Sequence, residues 1–87
     1  MITIEMTSGK TIEVNYVLNL DKSREKIAVC VDDARSIAQI ALDFDGKVSF
    51  KAKDSKNPKI TDIYDDYETR SVSRLDTGSV RIVLEKA

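Results

Sequence analysis

Three short stretches, MTSGKTI (6–12), DFDGKVS (43–49) and LDTGSVR (75–81), share one local design. One or two small polar residues precede a glycine, a Lys or Ser follows it, and β-forming residues lie beyond. Glycine supplies the positive φ that a tight loop closing with a bulge requires. A chain that reverses this way folds into antiparallel hairpins, which constrains the fold more than any other feature here. Beyond the turns the flanking residues do not match, so the pattern is recurring turn chemistry and not an internal repeat.

The first hairpin has a testable register. With Thr7-Ser8-Gly9 as a three-residue loop, Met6 faces Lys10, Ile4 faces Ile12 and Ile2 faces Val14. Glu5 then faces Thr11 and Thr3 faces Glu13, which gives an apolar and a polar face with no like charges opposed. The second strand is expected to run on through Tyr16 and Leu18. NLDKSREK (19–26) reads as a solvated turn or a single helical turn. KIAVCVD (26–32) alternates as a strand with Ile27, Val29 and Val31 on one side. Ala28 and Cys30 on the other side suggest that this face is covered too.

DDARSIAQIALDF (32–44) admits two readings. As a helix, Ala34, Ile37, Ala38, Ile40, Ala41, Leu42 and Phe44 fill one arc, and Arg35, Ser36, Gln39 and Asp43 fill the rest. Asp32 or Asp33 caps its start and Gly46 follows its end. As a strand, Ala38, Ile40 and Leu42 pair with Ala52, Phe50 and Val48. The alanines favour the helix on propensity. GKVSFKAK (46–53) reads as a strand, DSKNPKI with Pro58 as a loop, and TRSVSRLDTGSVRIVLEK as a long hairpin. In that hairpin Val80, Ile82 and Leu84 face the core. The expectation is therefore an α+β fold, a single domain over 1–87 with a mostly antiparallel sheet of five to six strands and one packed helix, 33–44. The alternative is an all-β meander or small barrel.

Eighty-seven residues leave room for one core. Fourteen basic and fifteen acidic residues, interleaved for a net charge of −1, give no overall field to draw nucleic acid or an anionic membrane. With no histidine and a single cysteine, Cys30, the commonest general base and metal ligand are missing and no disulfide can form within the chain. DFDGKVSF resembles part of a calcium loop, but Lys47 falls at a ligand position. No phosphate-binding glycine motif occurs. These features point away from an enzyme and imply no catalytic residues, metal or cofactor. The start MITIEMTSGK lacks the basic segment and apolar run of a signal peptide, and no stretch is long enough to span a membrane.

Two segments invite a binding role. In KITDIYDDYET, Ile60, Ile63, Tyr64 and Tyr67 follow the spacing of one helical face, and acids take the other. Asp62, Tyr64, Asp65, Asp66, Tyr67 and Glu68 then form either an acidic lid on the core or an acidic and aromatic contact for a basic protein. Arg70, Arg74 and Arg81 offer an alternative nucleic-acid face, disfavoured because no aromatic residue accompanies them as a stacking platform.

The layout of hairpin, strand, alanine-rich helix, strand, tyrosine–acid segment and SVSRLDTGSVRIVLEK resembles small accessory proteins encoded among the tail and baseplate genes of phages and prophages of Gram-positive bacteria. That resemblance implies a non-enzymatic structural or assembly component of a phage-like particle that associates with itself. It would act in the cytoplasm of the bacterial host or in the virion. The alternative function is a small inhibitor that holds a host or defence protein through 62–68.

Overall fold

A computed structural model describes residues 2–32, 42–54 and 56–87. Seven antiparallel strands form one sheet: β1 (Ile2–Met6), β2 (Thr11–Val14), β3 (Tyr16–Asn19), β4 (Lys26–Val31), β5 (Lys47–Asp54), β6 (Asn57–Arg74) and β7 (Val80–Lys86). Their order across the sheet is β2-β1-β5-β6-β7-β4-β3. The two outermost strands are thus consecutive in the chain, separated only by Asn15. The sheet closes on itself, with β2 and β3 as two halves of one bent stave in a six-staved barrel. At the bend the Asn15 N–H donates to the Cys30 carbonyl at 2.8 Å, which transfers the chain from pairing with β1 to pairing with β4.

The turn chemistry places the first and last hairpins as expected. Gly46 instead follows a helical Leu42-Asp43 and leads into β5, which pairs with β1 and β6 and not with a strand just before that turn. Ile4 stands opposite Ile12, Ile2 opposite Val14 and Glu5 opposite Thr11. The Met6 N–H donates to the Lys10 carbonyl and the Gly9 N–H to that of Met6, with Gly9 at φ 91°. Leu75, Gly78 and Ser79 repeat the same two bonds in the β6–β7 hairpin, with Gly78 at φ 88°. By the antiparallel pairing, all three glycine turns lie at one end of the barrel. The β3–β4 loop and the tight β5–β6 turn lie at the other.

The interior is filled by alternate residues of every stave. Ile4, Ile12 and Val14 meet Val48, Phe50 and Ala52 on one side, and Ile27, Val29 and Val31 meet Val80, Ile82 and Leu84 on the other. Phe44, Phe50, Tyr64 and Tyr67 run through it as an aromatic ladder. Phe50 and Tyr64 are stacked with centroids 5.1 Å apart, and Tyr64 meets Tyr67 edge-on at 5.8 Å. Outside the barrel, Ala28 and Cys30 are also buried. Leu18 and Val83 flank Ala28 in register, and Tyr16 and Arg81 flank Cys30.

The α+β expectation is corrected: the described chain is all-β, as in the alternative, with seven strands instead of five to six. Most of the expected helix, 33–41, lies outside the described residues. At its described end Leu42 and Asp43 are helical and a turn follows at Phe44; of the expected apolar arc, Leu42 is 70% exposed while Phe44 is buried in the barrel core. The physical reason is closure. A barrel fills its inner face with its own side chains, so no helix is required to cover it. Of the strand pairing considered for the same segment, Ala38 and Ile40 also lie outside the described residues, and Leu42 is helical and not extended. Pro58 lies within β6, so the expected loop shrinks to a turn between Asp54 and Asn57, with the Lys56 N–H donating to the Asp54 carboxylate at 2.9 Å. The second strand does not run straight through Tyr16 but changes partner at Asn15.

Candidate functional site

The tyrosine–acid segment is not helical; it lies in β6. Val48 pairs with Tyr67 and Phe50 with Tyr64, so one residue of β5 opposes two of β6 and a bulge forms at Asp65-Asp66. Asp66 takes a left-handed φ of 57°, and its N–H donates to the Ser49 hydroxyl at 3.0 Å. The bulge adds one residue, so Tyr64 and Tyr67 both enter the barrel. Asp65 and Asp66 stay in water, and Glu68 is half-buried.

The tyrosines serve the β3–β4 loop. The Tyr67 hydroxyl donates to the Arg24 carbonyl, and the Arg24 guanidinium lies 4.5 Å above the Tyr64 ring. The same guanidinium reaches the Ile63 carbonyl at 3.4 Å, so the loop is drawn across the barrel end. Burial pushes both phenols above their ordinary pKa, with Arg24 pulling the other way. Beside this strap is a cavity of about 180 Å³ between Ile2 and Val17 on one side and Asp54, Asp62 and Tyr64 on the other. Asp62 therefore lies at the mouth of the barrel, away from Asp65 and Asp66.

The arginines do not gather on one face. Arg70 is the extra residue of a second bulge, between Thr69 and Ser71, and it bridges Glu68 at 3.5 Å and Glu85 at 3.4 Å. Arg81 stands between Cys30 and Ser73 on the outside of the barrel. Arg74 pairs with the inward-facing Val80 at the far end of β6.

Residue-by-residue reading placed Tyr16 and Leu18 in a strand, as a continuation of the second, and missed that β3 is separate and pairs with β4. The Leu20 N–H donates to the Lys26 carbonyl at 2.8 Å, in step with the β3–β4 register. Hydrogen-bonded pairs alternate in an antiparallel ladder, so Tyr16 and Leu18 also bond to β4. The peptide groups of Val17 and Asn19 point the other way. Opposite them β1 begins only at Ile2, level with Val14, and no described strand pairs with that edge. Leu18 and Leu20 project from the outer face of this stretch, 48% and 43% exposed. The signal was present in YVLNL (16–20), five residues without a charge in a chain that is 33% charged.

Among the described residues, no three potential ligands from Cys, Asp and Glu gather as a metal site, and no helix is long and apolar enough to cross a membrane. No family model, curated protein or solved structure matches the chain.

Proposed function

We propose that the protein is a non-catalytic protein–protein interaction module, a structural or assembly subunit that associates with copies of itself. The observation that carries this reading is β3. Closing a barrel removes sheet edges, yet among the described residues β3 has a strand partner on one side alone, and it presents two leucines beside its other edge. Exposed aliphatic side chains next to an unguarded edge are the composition of a contact surface. The resemblance to phage tail and baseplate accessory proteins agrees with such a subunit, assembled in the bacterial cytoplasm or carried in the virion.

The other readings have less to stand on. A contact for a basic protein at 62–68 would lack its aromatic half, because Tyr64 and Tyr67 are spent on the core and on Arg24. A nucleic-acid face would lack Arg70, which is held between two glutamates.

Sedimentation over a wide concentration range, up to millimolar, tests the proposal. Mass should rise with concentration towards a defined oligomer. A strict monomer at the highest concentration would sink it, and neighbouring genes unrelated to particle assembly would remove the phage setting.

A further inference from the structure

We infer that two copies of the chain pair through β3, antiparallel, about a two-fold axis at Leu18. This rests on the self-association proposed above and names its surface. Among the described residues, the peptide groups of β3 that no strand pairs with belong to Val17 and Asn19, two residues apart with Leu18 between them. Rotating the strand about Leu18 sets Val17 opposite Asn19 of the second copy, and Asn19 opposite its Val17. Each such pair exchanges two N–H···O=C bonds, so four backbone hydrogen bonds form across the axis.

The side chains suit the same rotation. Leu18 meets Leu18 of the second copy, and Tyr16 meets Leu20 on either side of the axis. YVLNL carries no charge, so doubling it opposes no like charges. Edge strands that must stay single are commonly blunted by Lys, Pro or a bulge within the strand, and β3 has none of these after the bend at Asn15.

Register makes the interface testable. Leu18 is a non-hydrogen-bonded pair with its copy, with Cα atoms about 4.5 Å apart, within the span of roughly 4.4–6.8 Å that a disulfide bridges. Leu20 and its copy are four positions out of step, roughly 13 Å apart at about 3.3 Å per residue. Under mild oxidation Leu18→Cys should form a covalent dimer, whereas Leu20→Cys, nearly as exposed, should not. Cys30 is buried and serves as the silent background. Leu18→Lys should abolish the sedimenting dimer, with an unfolding midpoint that matches the wild type at concentrations where the wild type is monomeric and no longer rises with concentration. If association persists in Leu18→Lys, or Leu20→Cys crosslinks in place of Leu18→Cys, this interface is wrong while the self-assembly reading stands. If the wild-type chain is a monomer and neither cysteine crosslinks, both fall.

Discussion

Tyr64 and Tyr67 point to the same side of β6, although residues three apart on a regular strand face opposite ways. The left-handed Asp66 between them makes this possible, held by its bond to Ser49 and by the Ala87 N–H donating to its carbonyl at 2.8 Å. An i, i+3 spacing that reads as a helical face is here a strand with one residue inserted.

The bulge makes a backbone prediction. Asp66→Gly removes the penalty of a side chain at positive φ and should leave stability unchanged or raise it by up to about 1 kcal/mol. Asp66→Val should lower it by about 1–2 kcal/mol, and Asp65→Asn should change little. Urea unfolding midpoints check all three, and a Val variant as stable as the Gly variant would show that the left-handed position is not required.

The tyrosines make a pH prediction. In the unfolded chain they ionise near pH 10. Burial raises Tyr64 and Tyr67 in the folded chain, which therefore holds protons that the unfolded chain has already released. Their contribution to stability is complete below about pH 10 and is lost as pH rises through the folded phenols' range. Unfolding midpoints from pH 8 upward should fall beyond that point, less steeply with both changed to Phe. A remainder stays with Tyr16, which a hydrogen bond with the Cys30 thiol also raises. At neutral pH, Tyr67→Phe alone should cost about 1 kcal/mol for the lost bond to Arg24.

Arg70 makes an electrostatic prediction. Glu68 and Glu85 stand directly opposite each other across β6 and β7, a like-charge pair that Arg70 bridges from its bulge. Arg70→Met should destabilise by about 0.5–1 kcal/mol at low salt and by less at high salt, since the group is exposed. Adding Glu68→Gln should restore most of the loss. A salt-independent effect would point to packing instead.

Two isoleucines on opposite faces make a packing prediction. Ile82 is fully buried between β4 and β6, and Ile82→Ala should cost about 2–5 kcal/mol. Ile63, 56% exposed on the outside of β6, should tolerate the same change within about 0.5 kcal/mol. Calorimetric unfolding of the two variants compares them directly, and equal losses would contradict the assigned faces of the barrel.

Much of the β-structure was legible because it is local. The Ile4–Ile12 register, the turn at Gly78 and the inward set Val80, Ile82 and Leu84 follow from turn chemistry and period-two alternation within about ten residues. Tyr64 and Tyr67 misled because an inserted residue in a strand and a helical face leave the same i, i+3 spacing. The candidate contact at β3 was half legible: YVLNL shows its lack of charge, but an unpaired edge is a property of neighbours.

By itself, then, the sequence determined where the first and last hairpins turn, which residues of the first face each other and which alternate side chains are apolar enough to go inside. Only the tertiary structure decided that β1 lies against β5 and β4 against β7, and that Asn15 closes the sheet into a barrel. Pairs such as Cys30 with Arg81 or Ser49 with Asp66 join residues that no local pattern links. Their choice rests on which closed arrangement buries the apolar sides of all the staves at once, and that energy belongs to the assembled barrel.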